Sequence, residues 1–317
     1  DLSLTYNSVS ADGSRNITFG WEGIRGELPA DAQDPQATIP QDELPLLEAQ
    51  ITFTGKGGSL TGPTHYWRIP AGSDNISVAV ETDLSSLGTG YYNYTITALL
   101  AGKERITNGT ILHINSAYSV FGRGWGLKGL QDLYEEEDGS VTLVDGETMG
   151  EHFEREELPA DLLKECEDGR PREQYRTIPG ETSKFALNSG TPGGTFERTL
   201  DDGTVYEYTR AKRTPSGELI PGKLIRVTDR YGNSTVYEYD TAGKIQSITD
   251  PVGLKTRFGY TGNHVTSIID PAGRVTTLSY LGDDLISIQD PDSSVRRFGY
   301  DDEGRMTLEV NKLGGAE

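Results

Sequence analysis

The sequence is poor in the side chains on which site chemistry most often rests. One cysteine, Cys166, stands among 317 residues, so no disulfide can close within the chain and a disulfide framework is excluded, while the redox compartment stays open. Cys166 lies between Glu165 and Glu167, whose carboxylates disfavour a thiolate, and it reads as a half-buried helix residue. Four histidines, His65, His113, His152 and His264, show no metal-ligand spacing, and His152-Phe153-Glu154 lacks the second histidine of a zinc protease. No Gly-x-Ser-x-Gly occurs, and "GTPGGT" lacks the lysine of a phosphate loop and reads as a turn. No apolar run reaches the length of a membrane-spanning helix. Basic residues are outnumbered, 29 Lys and Arg against 49 Asp and Glu, for a net charge of -20. Such a surface repels phosphate, which argues against nucleic acid and anionic membranes as partners; its plain role is solubility.

What is abundant is glycine, at 39 residues, and tyrosine, at 16. With many Val, Ile and Thr this composition favours short strands joined by turns. The fold class is therefore all-β, a β-sandwich followed by a hairpin sheet of solenoid type, with one short helix near 159–168.

Residues 1–116 contain about seven strand-like stretches, "LSLTYNS", "NITFGW", "AQITFTG", "HYWRI", "NISVAVET", "YYNYTITALL" and "RITNGTILHIN". That number fits an immunoglobulin-like β-sandwich. The phrase Leu87-Gly88-Thr89-Gly90-Tyr91-Tyr92 resembles a tyrosine corner, in which a phenol bonds upstream backbone. Residues 27–48 are Pro-rich and acidic and read as a surface excursion. Asn16, Asn75, Asn93, Asn108 and Asn233 each begin an Asn-x-Thr/Ser triplet and are candidate glycosylation sites. The chain opens at Asp1 with no leader, which reads as a processed or excised piece.

Residues 117–200 form a second section. "FGRGWGLKGL" sets four glycines around Phe121 and Trp125, which implies tight turns about a docking Trp. "DGSVTLVDGETM" reads as a hairpin, and "LPADLLKECEDG" as the short helix, with Pro159 at its start and Gly169 past its end. "NSGTPGGT" is a loop.

Residues 201–317 repeat themselves. Tyr239, Tyr260, Tyr280 and Tyr300 are spaced 21, 20 and 20 apart, and Asp229, Asp250, Asp270 and Asp290 keep the same intervals. A fixed period of this size means stacked supersecondary units. Each first strand carries an apolar pair two residues apart, Tyr237/Tyr239, Phe258/Tyr260, Leu278/Tyr280 and Phe298/Tyr300, and Tyr206/Tyr208 looks like a degenerate first copy. Each second strand carries Ile245, Val265, Leu285 or Met306, and Ile248, Ile268 or Ile288 three residues later, a spacing that puts apolar groups on both faces. Between units lie turns, Asp250-Pro251-x-Gly253, Asp270-Pro271-x-Gly273 and Asp290-Pro291: Asp accepts from a backbone N–H, Pro fixes φ, and Gly supplies positive φ. One hairpin is unstable alone, so stacking accounts for the repetition.

The units from "YGNSTVYEYDTAGKIQSITDPVG" onward resemble the YD repeats of the RHS protein family, and "SVFGRGWGLKGLQDLYEEEDGSVTLVDG" resembles the segment that leads into them. The resemblance covers about 117–317. It implies a secreted or cell-surface protein in which YD hairpins form one spiralling sheet, in toxin complexes a shell around a toxic cargo and in teneurins an adhesion ectodomain. Two features depart from the shell form: about five units are present, and the self-cleaving aspartyl segment of the RHS core is absent. The chain therefore reads either as a fragment of a longer protein or as a short member of the family.

The reading is a non-enzymatic extracellular scaffold, self-assembling into a filament or surface layer through edge strands. The alternatives are a piece of a toxin shell and a surface adhesin for glycan or protein. No cofactor is expected. Glu135-Glu136-Glu137-Asp138 and Asp201-Asp202 could offer carboxylates to Ca²⁺ but lack the spacing of a Ca²⁺ loop and read as solvated turns.

Overall fold

Alternating patterns build strands nearly everywhere in the computed structural model, which describes residues 3–7, 14–56, 58–156, 172–176, 182–188, 193–213 and 219–311. The all-β class holds: the only helical elements among these residues are the 3-10 turns Ile24–Glu27 and Ala30–Ala32. The helix near 159–168, with Cys166, lies outside the described residues, as does part of the "NSGTPGGT" loop. The chain divides into two units, residues 13–113 and residues 1–12 with 114–317.

The smaller unit holds β2 (Ser14–Glu22), β3 (Leu46–Gly55), β4 (Gly58–Thr61), β5 (His65–Arg68), β6 (Asn75–Asp83), β7 (Gly90–Leu100) and β8 (Lys103–His113). β2 pairs with β6; β3 pairs with β4, β5 and β7, and β7 with β8. Both sheets give side chains to one core, among them Phe19, Trp21, Val80, Ile51, Phe53 and Ile96. The Pro-rich stretch is anchored rather than free, because Leu28 and Ala32 are buried in that core. The anticipated corner forms: the Tyr92 hydroxyl donates to the Gly88 carbonyl at 2.9 Å.

The strand count of seven is met by a different set than the sequence suggests. The first stretch contributes β1 (Leu4–Tyr6) to the larger unit, where it pairs with β9 (Trp125–Leu127). "GSLT" supplies the missing strand as β4. Pairing with β9 satisfies the backbone groups on one edge of β1 and places its Leu4 and Tyr6 against apolar partners, so the boundary falls near residue 13 and not at the start of the chain.

In the larger unit the next strands are β10 (Gln131–Glu135), β11 (Val141–Asp145), β12 (Gly150–Arg155), β13 (Arg172–Arg176), β14 (Lys184–Asn188), β15 (Thr195–Thr199) and β16 (Val205–Thr209). After the short pair β17 (Lys212–Arg213) and β18 (Leu219–Ile220) come β19 (Gly222–Thr228), β20 (Ser234–Tyr239), β21 (Ile245–Thr249), β22 (Lys255–Thr261), β23 (His264–Ile269), β24 (Val275–Leu281), β25 (Asp284–Gln289), β26 (Val295–Tyr300) and β27 (Met306–Val310). β10 to β16 and β19 to β27 form one 16-stranded sheet. A further pairing, Asp132↔Lys223 and Leu133↔Gly222, joins β10 to β19. β10 to β16 with β19 therefore close on themselves as a barrel, and closure removes the exposed edges. Two ion pairs clasp the seam, Lys223 to Asp132 at 2.8 Å and Arg210 to Glu135. Phe153, Phe185 and Phe196 stack inside it, with Tyr175 edge-on to Phe185 and Phe196.

The barrel corrects the division at residue 200. The described residues between 131 and 228 form one closed body, and Tyr206 and Tyr208 belong to it. Tyr208 is fully buried in the barrel core, and its hydroxyl donates to Gln131. From β19 the sheet runs outward as the repeat hairpins.

Candidate functional site

The repeats build a column. In each unit the pairing register shifts by a bulge next to the tyrosine: between Glu238 and Tyr239, Gly259 and Tyr260, Ser279 and Tyr280, and Gly299 and Tyr300. A bulge adds one residue to one strand and so reverses the facing of the residues beyond it. This overturns the two-faced reading of the second strands. Ile245 faces Tyr239 and Ile248 faces Tyr237; Val265 faces Tyr260 and Ile268 faces Phe258. Cross-strand partners share a face, so the spacing of three resolves onto one side. All of these residues fall in one apolar cluster with Leu278, Tyr280, Leu285, Ile288, Phe298 and Tyr300.

The phenols have a second task. Tyr260 donates to the Ile245 carbonyl at 2.8 Å, Tyr280 to Val265 at 2.7 Å and Tyr300 to Leu285 at 2.7 Å, each bond spanning 15 residues. Each tyrosine thus satisfies a carbonyl beside the bulge of the preceding unit. Burial raises all three phenols above their ordinary pKa, which keeps them protonated as donors. Tyr239 begins the column differently: its buried hydroxyl has no hydrogen-bond partner among the described residues.

The turn aspartates are tied to the backbone of their own turns. Oδ1 of Asp250 accepts from the N–H groups of Val252 and Leu254 at 3.0 and 2.8 Å, and Oδ1 of Asp270 from Ala272 and Arg274 at 2.9 and 2.8 Å. The Arg274 N–H holds the Asp270 carboxyl below its usual pKa, and the Asn233 amide does the same for Asp229. The sequence names the N–H two residues on; the second, four residues on, comes from the closed loop, in which Asp250 N–H donates to the Leu254 carbonyl. In the Asp290-Pro291 turn the glycine place is taken by Ser293, at φ 69°, and the Asp292 carboxylate accepts from the Ser294 N–H at 2.9 Å.

The column is covered by the chain's own lead-in. Phe121, Trp125 and Leu127 are buried in its cluster, with Leu4 and Tyr6 packed alongside. Val265 N–H donates to the Val120 carbonyl and Arg123 N–H to the Asp283 carbonyl, both at 2.8 Å. Gly122 and Gly124 hold positive φ, as the glycine density implies. Gly126 is needed for closeness instead: a Cβ there would lie 2.0 Å from the Gly146 carbonyl oxygen.

The remaining candidates are scattered. Asn16, Asn75, Asn93, Asn108 and Asn233 are all exposed. Asn93 and Asn108 sit on neighbouring strands, where Thr95 donates to the Asn108 amide oxygen at 2.8 Å, and the Asn233 amide donates to Asp229 at 2.8 Å. The Thr142 hydroxyl lies 3.0 Å from Glu136 and 3.3 Å from His152, but Thr142 is fully buried, beyond reach of a substrate. Asp138 accepts from Ser140, Glu135 from Arg210, and Asp202 from the Thr204 N–H. Among the described residues no group of three or more His, Cys, Asp or Glu is placed to hold a metal ion. No helix among them is long and apolar enough to cross a membrane. Sequence reasoning finds the column and its turns; it misses the barrel seam and Tyr6, whose strand carries no repeat signature.

The family model RHS Repeat matches the chain twice, over residues 222–255 and 239–275. No curated protein matches it. The matched stretch runs from β19 to the start of β24, and the same bulge, phenol bond and cross-strand pairing continue beyond it through Tyr300.

Proposed function

This chain belongs to the RHS repeat family, and from that premise we propose that it is a non-enzymatic scaffold of an extracellular or cell-surface assembly. One observation carries the reading: the residues that make the repeat recognisable are consumed in holding the sheet. The turn carboxylates of Asp250 and Asp270 accept two backbone N–H groups each, and the phenols of Tyr260, Tyr280 and Tyr300 each donate to a carbonyl. These bonds give the turn carboxylates and the phenols a structural task at every repeat, which supports a scaffold rather than a reacting group.

The covering of the aromatic face favours a scaffold over a cargo shell. Phe121, Trp125 and Leu127 occupy the space that contents would need against these hairpins. The buried rings likewise cannot stack on glycans, which leaves the adhesin reading to isolated exposed side chains such as Tyr66 and Tyr231. The unit 13–113, with two sheets on one core and the Tyr92 corner, serves in this reading as an immunoglobulin-like module set between β1 and β9.

Assembly would use the last strand. Among the described residues β27 pairs with β26 alone, so its other edge offers backbone groups to a neighbouring strand. Electron microscopy tests this: filaments or layers are expected from the full chain and single particles after removal of residues 301–317. Intact polymers from the shortened chain would overturn edge assembly.

A further inference from the structure

Strand β1 is held like a bound peptide. Its register on β9 is Leu4↔Leu127, Thr5↔Gly126 and Tyr6↔Trp125. Backbone bonds extend this at both ends, from Lys128 N–H to the Ser3 carbonyl at 2.8 Å and from Asn7 N–H to the Gly124 carbonyl at 2.9 Å. The Thr5 hydroxyl donates to the Gly146 carbonyl at 2.8 Å. The Tyr6 hydroxyl makes two bonds at the last hairpin: it donates to the Gly304 carbonyl at 2.7 Å and accepts from the Met306 N–H at 2.8 Å. Its ring lies 5.5 Å from Trp125 and 5.9 Å from Tyr300, edge-on to the latter.

The covalent path makes this arrangement unusual. β1 continues through residues 8–12 into the unit 13–113, and the chain returns to the larger unit only at Ile114. Within the larger unit β1 therefore has no short covalent tether; pairing, the phenol bonds and ring contacts hold it. The two-stranded sheet that it forms with β9 is separate from the 16-stranded sheet, so removing it breaks no repeat pairing.

We propose that the groove formed by β9, Gly146, Tyr300 and the Gly304–Met306 turn is a binding site for a short extended Leu-Thr-Tyr segment, and that its occupant in trans is residues 3–7 of a second copy of this chain. Recognition has two parts. Strand addition to β9 supplies main-chain bonds. The tyrosine pocket supplies selectivity, because it takes an aromatic ring against Trp125 and Tyr300 whose terminal hydroxyl both donates to Gly304 and accepts from Met306, a bond pair that phenylalanine cannot make. Exchange of an identical element is a low-cost route to association, since every contact made in trans already exists in cis. This inference does not depend on β27 edge assembly and goes beyond the scaffold reading.

The test begins by placing a protease site within residues 8–12 of the full chain and cleaving it. Residues 1–7 should co-elute with the rest, and a fluorescent peptide of residues 1–12 should displace them. A Tyr6→Phe peptide should bind at least about tenfold more weakly, as loss of a buried hydrogen-bonding group implies. A cleaved chain with unchanged tryptophan near-UV dichroism that holds neither peptide would overturn the site, and equal affinity for the Tyr6→Phe peptide would overturn the tyrosine pocket. For the second copy, shortening the connection across residues 8–12 should turn the intact chain into dimers or larger species in native mass spectrometry, reversed by Tyr6→Phe. A shortened chain that stays monomeric while the free peptide still binds would overturn the second copy as occupant.

Discussion

The indole Nε1–H of Trp125 donates to the hydroxyl of Tyr300 at 2.8 Å, and that hydroxyl donates onward to the Leu285 carbonyl at 2.7 Å. The two residues lie 175 apart in sequence. Their rings belong to one cluster, and Trp125 also meets Phe298 edge-on with centroids 4.8 Å apart. The lead-in tryptophan is thereby a member of the repeat column, and the relay of two bonds ties the start of the larger unit to its last hairpins.

Tyr300→Phe therefore strands two groups at once, the indole N–H and the Leu285 carbonyl. A cost of about 1–3 kcal/mol is expected for a buried group left without a partner. Urea unfolding followed by tryptophan fluorescence measures it. A change below about 0.5 kcal/mol, the range of ordinary surface substitutions, would mean that the relay contributes nothing.

The phenols of the column are not equivalent. Tyr260→Phe removes the donor to Ile245 and should destabilise by about 1–3 kcal/mol, whereas Tyr239→Phe removes a buried hydroxyl with no partner among the described residues and should be neutral or stabilising. Paired denaturation curves of the two variants decide this, and equal losses would contradict the assignment of the carbonyl bonds.

Ser293 holds φ 69° where the equivalent turns place Gly253 at 88° and Gly273 at 80°. The left-handed region costs a side-chain-bearing residue about 1–2 kcal/mol. Ser293→Gly should recover part of it, about 0.5–1 kcal/mol after the greater chain entropy of glycine. Thermal unfolding measures the gain; a drop in Tm would show that the serine is not strained.

His113 is fully buried in the smaller unit, and its pKa falls from 6.5 to about 4. Burial is the main cause and the Arg15 charge adds to it, while Asp83 and the backbone at Leu87 and Leu84 oppose it. Above pH 6.5 the ring is neutral in both states. Between 6.5 and about 4 the unfolded chain binds the proton and the folded chain does not, so stability is lost as pH falls, by roughly 3 kcal/mol in all. Urea midpoints of residues 13–113 across this range should fall for the native sequence and flatten for His113→Leu; parallel curves would contradict it.

The sequence by itself determined everything local and periodic. Side-chain alternation requires strands. The period of 20 requires stacked hairpins, and Asp-Pro-x-Gly carries its own turn, because an Asx bond, a fixed φ and a positive φ are all settled within five residues. The tyrosine corner at Tyr92 was legible for the same reason, since its bond reaches only four residues back. The facing of Ile248 and Ile268 was not legible, because a bulge is a property of two paired strands and a single strand carries no record of its partner's register. Barrel closure through Asp132 and Lys223 and the seating of Tyr6 on Met306 join residues 91 and 300 positions apart. Only tertiary structure decides such contacts, since loop closure brings distant segments together and no local preference selects which of many acidic, basic or aromatic side chains will meet.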